Sequence, residues 1–348
     1  MPTSRYLALL EAPFPEREDV IALLSPSSDE EKAALFARAH AVRRETVGGH
    51  VHIRGIIEIS NRCSNNCLYC GLRRGNTALA RYLMRPEEIL ACAKTITDAG
   101  VRTIVLQSGE DRRADAHEIA DIIREIKART DAAVTLSLGE RDRETYRLWR
   151  EAGADRYLLK HETANRSLFA RLRPSTDFDV RVRCLRDLAE LGYQVGTGNM
   201  IGLPGQSLAD IADDILLCRE LAADMCPFGP FIPSPDTPLS HAAAGSVELS
   251  LLTIAVARIV LRTVHIPANT SLGTLDPDAQ RRALLCGANV IMPNFTPYRY
   301  RVHYRIYPKT LRETPPLEGL HRALEIIRAA GCTPATDRGD SVRHIPPA

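Results

Sequence analysis

The sequence carries almost no excess of charge, with 45 Lys plus Arg against 43 Asp plus Glu and a formal net charge of +2. So even a balance, without a long run of one sign, argues against nucleic acid or an anionic membrane surface as partner. Long apolar runs are missing too. The most apolar later stretch, 249–261, is interrupted by Arg258 and is too short to cross a bilayer. Residues 1–13 lack the basic-then-apolar order of a secretory signal, because Arg5 and Glu11 bracket only the short apolar piece 6–10. The chain is therefore read as cytoplasmic. No low-complexity segment occurs, and 45% apolar with 25% charged residues excludes a disordered, collagen-like or coiled-coil chain.

A disulfide framework is excluded as well. The nine cysteines are odd in number, the chain of 348 residues is large, and six of them (Cys92, Cys184, Cys218, Cys226, Cys286, Cys332) are scattered singly and read as buried thiols. The remaining three, Cys63, Cys67 and Cys70, stand together.

What is present alternates. Residues 14–48 read as helices, with Ser28 and the acidic residues after it as a capping start and Gly48 as a stop. Eight β-rich runs follow, at 53–60, 103–107, 133–137, 156–160, 194–200, 225–231, 266–272 and 289–292, separated by amphipathic helical runs. Gly100, Gly153, Gly192 and Gly287 fall just after helices, where a left-handed cap is wanted. The pattern predicts an α/β fold, a (β/α)8 TIM-type barrel over 51–308, with an N-terminal helical extension over 1–50 and a short C-terminal helical cap or lid over 309–348 that includes Pro315 and Pro316. In such barrels chemistry sits at the carboxyl ends of the strands.

The run from Cys63 to Cys70 follows the first predicted strand directly, at that catalytic end. Three thiolates spaced CxxxCxxC can each bind a different iron of a cubane cluster, which leaves one iron for a chelating substrate. A structural zinc site wants four Cys or His ligands, and the near histidines, His50 and His52, lie upstream across a strand. A non-enzymatic cluster carrier is the remaining alternative, and it needs no cavity.

This cysteine run resembles the signature of radical S-adenosylmethionine (radical SAM) enzymes. The segments 56–61, 67–74, 105–111, 135–140, 154–163 and 202–206 are similar to HydE-type [FeFe]-hydrogenase maturases, in the group that also holds biotin synthase and methylornithine synthase, and the likeness runs from about residue 40 to about 308. The resemblance implies a [4Fe–4S] cluster on Cys63, Cys67 and Cys70, with S-adenosylmethionine on its open iron. Tyr69, Gln107, Ser108, Glu110, Thr135, Ser137, Lys160, Glu162, Arg181 and Met200 are the expected cofactor contacts. Lys160 stands where the family has arginine, which keeps the cation but loses the planar fork.

Substrate contacts are expected from Met225, Asn269, Thr270, Met292, Tyr300, Arg301 and Tyr304. Met200, Met225 and Met292 are read as ending strands five, six and eight, with core filling as the ordinary alternative for methionine. Asn269 and Thr270 are placed on strand seven, where family members show two threonines. Tyr300, Arg301 and Tyr304 are read as a lid or as solvated loop residues. Only Cys332 lies beyond Cys286, so no second cluster is expected from the tail. The resemblance implies reductive cleavage of S-adenosylmethionine, an external one-electron donor, a cysteine-bound iron carbonyl cyanide precursor as organometallic substrate, and other hydrogenase maturases as partners. A different small-molecule substrate, for sulfur insertion or carbon-skeleton rearrangement, is the alternative.

Overall fold

A computed structural model describes residues 4–13, 15–308, 313, 315 and 317–344. Met1 to Thr3, Phe14, 309–312, 314, 316 and 345–348, within the expected extension and tail, lie outside the described residues. The helical preface forms as its caps predict: Ser28 accepts from the Glu31 N–H and starts the helix Asp29–Val47, which ends at Gly48 with φ 80°.

Among the described residues ten short strands follow: β1 (His50–Ile53), β2 (Gly55–Ser60), β3 (Thr103–Ser108), β4 (Ala133–Ser137), β5 (Arg156–Leu158), β6 (Gln194–Gly196), β7 (Asn199–Ile201), β8 (Phe228–Pro230), β9 (Val290–Ile291) and β10 (Thr333–Pro334). β2 to β6 form a parallel sheet in sequence order, and β7 pairs with β8. Single bridges Gly196 to Met225, Met225 to His265 and Pro267 to Val290 carry the ring onward, and β9 pairs with β1. The barrel is closed. Gly100, Gly153, Gly192 and Gly287 all have positive φ after their helices.

The period of two along the strands sorts the side chains. Ile57, Ile59, Ile104, Leu106, Val134, Leu136, Tyr157 and Val195 belong to the apolar core shared with the surrounding helices. Trp149 stacks on Tyr157 at 6.3 Å, and Tyr146 and Tyr193 meet the same ring edge-on. Each such fully buried side chain contributes roughly 1.5–3 kcal/mol. The alternate residues, including Arg54, Glu58, Thr103, Gln107, Thr135 and Arg156, therefore point into the barrel.

Three expectations are corrected here. The predicted run 194–200 breaks at residues 197–198 into β6 and β7. Run 266–272 is not a strand: after the bridges at His265 and Pro267, Asn269 immediately precedes the helix Thr270–Leu275, and its amide donates to the Phe228 carbonyl at 2.6 Å instead of capping that helix. Thr270 is thus an exposed helix start rather than a strand residue.

The tail does not close the catalytic end. After the helix Glu318–Ala329, β10 pairs with β1, and residues 337–341 enter the opposite mouth of the barrel. There Arg156, fully buried, donates to Asp340 (2.8 Å), the Arg338 carbonyl (2.6 Å), Gln194 (3.1 Å) and Thr103 (3.1 Å). A buried guanidinium needs its donors filled, and the tail supplies two of the four acceptors. It forms the floor of the barrel.

Candidate active site at the carboxyl end of the barrel

The loop after β2 carries the three cysteines, and its shape is set by hydrogen bonds rather than by regular structure. Asn61, fully buried, donates to the carbonyls of Ala80 and His303 (2.8 Å each) and accepts from the Tyr82 N–H at 2.7 Å. Arg81 donates to four carbonyls, those of Asn61 (2.7 Å), Leu72 (2.8 Å), Arg73 (2.7 Å) and Asn76 (3.2 Å), and so ties both ends of the loop to one guanidinium. Three further backbone bonds anchor the loop to separate parts of the barrel: Ser64 N–H to the Glu110 carbonyl (2.7 Å), Leu68 N–H to Leu172 (2.9 Å) and Gly71 N–H to Ile306 (3.1 Å). Two glycines make this closeness possible. A Cβ at Gly71 would lie 1.9 Å from the Arg305 carbonyl oxygen, and one at Gly109 would lie 2.3 Å from that of Arg62.

Arg81→Met would strip four carbonyls of a charge-assisted donor. We expect it to cost about 3 kcal/mol, the scale of losing one or two such bonds, and to lower the iron bound per chain. Wild-type iron content with an unchanged melting temperature would sink that assignment.

Cys67 is buried, while Cys63 and Cys70 are half-buried. Burial pushes the Cys63 and Cys70 thiols up. Among the described residues no three His, Cys, Asp or Glu side chains converge on a point that would hold a single ion. That fits three thiolates spread over separate irons better than it fits zinc. Tyr69 and Met200 pack with Cys67 in one apolar cluster, together with Leu203 and Phe231.

The rim above the sheet is polar. The Gln107 amide donates to the Tyr304 hydroxyl at 3.1 Å, and the Ser108 hydroxyl to the Gly109 carbonyl at 2.6 Å. Thr135 Oγ1 and Glu110 Oε1 are buried without a hydrogen-bond partner among the described residues, a cost that a bound polar ligand would offset. Ser137 and Lys160 are half-buried, and Lys160 Nζ lies 3.7 Å from Glu162. Arg181 sits between two carboxylates, 3.5 Å from Glu110 Oε2 and 3.1 Å from Glu140 Oε1. The Arg181 Nε to Glu140 contact has ion-pair distance but not hydrogen-bond alignment, so we read it as electrostatic. Burial raises both carboxyls. For Glu110 the guanidiniums of Arg181 and Arg173 outweigh it and hold the group below the usual range, whereas Glu140 stays raised.

The family described as the radical SAM superfamily matches residues 57–218. The [FeFe] hydrogenase maturase subunit HydE of Thermotoga maritima is 50% identical over 314 residues, 89% of this chain and 89% of that protein. The chain belongs to the radical SAM superfamily. It is a HydE-like enzyme of that superfamily, and membership implies a [4Fe–4S] cluster and S-adenosylmethionine. The 3-methylornithine synthase of Methanosarcina barkeri is 30% identical over 315 residues, 89% of this chain and 88% of that one. A crystal structure of methylornithine synthase superposes with a TM-score of 0.82 at 26% identity, covering 95% of this chain and 97% of that one.

Within this radical SAM barrel several expected site residues come together: Cys63, Cys67, Cys70, Tyr69, Met200, Glu110 and Arg181 around the loop, with Lys160 and Glu162 just past β5. Met292 is half-buried just past β9. Met225 is a correction. It enters its strand at the floor end, where it bridges Gly196 and His265, and Arg54 donates to its sulfur at 2.7 Å. Tyr300 is not a lid. Its hydroxyl donates to Glu88 (3.0 and 2.9 Å) and its ring lies 4.9 Å from Tyr82, which pins it to the outer helix Pro86–Asp98. Arg301 lines an outer groove of about 270 Å³ beside that helix, with its guanidinium over the Tyr298 ring. Tyr304, by contrast, is buried against Gln107.

Residues missed from the sequence supply the supports. Arg173, buried, donates to the Tyr69 hydroxyl at 2.8 Å and lies 3.7 Å from Glu162. Glu162 itself has φ 71°, left-handed for a non-glycine residue, at a cost of roughly 1–3 kcal/mol. The chain on either side is held in place: His161 contacts Thr197 (3.0 Å) and Asp214 (3.2 Å), and Asp214 also accepts from the Ala164 N–H and the Asn199 amide. The Gly139-Glu140 pair was the one visible signal for Glu140; nothing local marks Arg173 or Asp214.

Proposed function

We propose that the chain cleaves S-adenosylmethionine reductively and acts on a cysteine-bound iron carbonyl cyanide precursor during assembly of the [FeFe]-hydrogenase active site. The observation that carries this reading is the 50% identity to a hydrogenase maturase over 89% of both chains, set on a loop that presents three thiols at the carboxyl end of a closed barrel. Cys63, Cys67 and Cys70 would hold a single [4Fe–4S] cluster. When bound, that cluster supplies one electron to the sulfonium and so releases an adenosyl radical.

The chain's own residues do the positioning. Arg181 keeps Glu110 ionised and offers its guanidinium fork to a carboxylate, the group that an amino-acid moiety brings. Gln107, Ser108, Thr135 and Ser137 provide small polar groups on the second and third strands of the ring, Lys160 and Glu162 a charged pair on the fourth, and Tyr69 and Met200 an apolar wall. Asn269, Thr270, Met292 and Tyr304 are left as substrate contacts. Met225 and Arg54 lie below them, and Arg54 donates to the Gly339 carbonyl of the tail at the base of the barrel. An external one-electron donor and the other maturases complete the reaction. The tail brings only Cys332, half-buried and beside Arg43, which supports a single cluster.

The test adds the anaerobically reconstituted enzyme, with S-adenosylmethionine and the other maturases, to apo-hydrogenase and measures hydrogen evolution. Restored activity is expected. Normal formation of 5′-deoxyadenosine without restored hydrogenase would move the same chemistry to another substrate, and no binding of S-adenosylmethionine would leave a cluster carrier.

A further inference from the structure

Several surface arginines on the flanks of this barrel face carboxylates, Arg102 with Asp131, Arg124 with Asp121, Arg129 with Glu125, Arg143 with Asp187 and Arg166 with Asp179, while Arg171 and Arg183 stand singly without one among the described residues. Around the first half of the cysteine loop unpaired arginines gather instead. Arg62, Arg74 and Arg112 are exposed and Arg73 is half-exposed, and among the described residues none of the four has a carboxylate within ion-pair distance. Arg113, exposed beside them, has only Asp111 at 3.8 Å.

Their backbones converge on the segment from Cys63 to Asn66. Arg62 precedes Cys63, the Arg112 N–H donates to the Ser64 hydroxyl at 3.3 Å, and the Arg74 N–H donates to the Asn65 carbonyl at 2.8 Å. The acidic groups nearby do not neutralise the patch. Glu110 is buried against Arg181, and Asp111 is nearly buried and accepts from the Arg113 N–H. Asp115 caps the next helix, and Asp236 belongs to the segment beside Leu68 and Gly71 instead.

We propose that this arginine rim is the docking surface for an acidic one-electron carrier protein, which delivers its electron to the cluster through the Cys63–Asn66 face. The inference rests on the reading that Cys63, Cys67 and Cys70 hold a redox cluster. The step balances simply: the reduced carrier loses one electron, the cluster gains one, no bond forms or breaks, and no proton moves. Electron transfer falls off steeply with distance, so the face that covers a half-buried ligand is where a carrier has to sit. A one-signed patch on a chain of +2 overall is a local steering device and not a general affinity for polyanions.

The experiment uses the full cluster-loaded chain and follows bleaching of the cluster's visible absorption in stopped flow, independently of S-adenosylmethionine. The donors are photoreduced flavodoxin, an acidic carrier, and reduced methyl viologen, a small cation. The double variant R74E/R112E is expected to be reduced by flavodoxin roughly tenfold or more slowly at low salt, and the wild-type rate is expected to fall as salt is raised. Viologen should reduce variant and wild type at similar rates, which shows that the cluster is intact. Flavodoxin rates within twofold of each other at low salt, or equal slowing with viologen, would overturn the docking surface. Cleavage of S-adenosylmethionine is read separately: rapid reduction without 5′-deoxyadenosine would count against the proposed reaction and leave the surface standing. A wild-type chain that loads no cluster would remove both.

Discussion

Any one of the substitutions Cys63→Ala, Cys67→Ala or Cys70→Ala is expected to abolish 5′-deoxyadenosine formation. The three thiols are not interchangeable and no reserve ligand stands by. The other six cysteines are scattered through the chain: five of them are buried and Cys332 is held at the far end of the barrel. The loop is also fixed at Asn61, Ser64, Leu68 and Gly71, so it cannot slide to present a substitute donor. Because the substitutions remove a sulfur from the loop and not from the barrel core, the helical signature and melting temperature of the metal-free chain should change little. Iron content, visible absorption and product are the measurements. A variant that loads four irons and turns over at the wild-type rate would sink the ligand assignment.

Arg181→Met is expected to give the largest loss of stability at the site, about 3–5 kcal/mol near pH 7, because it leaves two buried carboxyls facing each other without their cation. Its pH dependence follows from the two neighbours. Glu110 titrates below the usual range in the folded chain, so the stability it lends is complete above the unfolded carboxyl value of about 4.3 and is lost as the pH falls below it. Glu140 is raised, so its contribution is present at low pH and is lost as the pH climbs past that same unfolded value. Without Arg181 burial pushes both groups up. The penalty of the variant should therefore grow from about pH 4 toward about pH 7. Urea unfolding at the two pH values measures it, and an equal loss at both would contradict the ion-pair account. Binding of S-adenosylmethionine should weaken in parallel, since the guanidinium proposed to meet its carboxylate is gone.

Features set by local sequence could be read in advance, and features set by distant contacts could not. The CxxxCxxC spacing is complete within eight residues, and strand alternation places Thr135 and Gln107 on the inner side without any knowledge of their partners. Helix stops at Gly100, Gly153, Gly192 and Gly287 were legible for the same reason. Met225 was misplaced because the β-rich run 225–231 says nothing about which of its ends meets the ring first; a single bridge decides it. Asn269 and Thr270 lie in an apolar stretch whose periodicity suits a strand, yet only His265 and Pro267 bridge before the chain turns into a helix. Arg81 gives no sequence signal, since its acceptors are backbone carbonyls that every residue possesses. His161 and Asp214 stand 53 positions apart, and Arg173 reaches Tyr69 across 104.

The barrel floor ties an early and a late stretch of the chain together in order of synthesis as well as in space. β1 is made well before its partner β10 and before the Asp340 carboxylate that receives Arg156. Until then the ring of strands stands open at its base, with the Arg156 guanidinium reaching Gln194 and Thr103 but lacking Asp340 and the Arg338 carbonyl. Insertion of this strap can follow only once it has been made, and a nascent chain held short of it leaves the Arg156 guanidinium without its Asp340 and Arg338 acceptors.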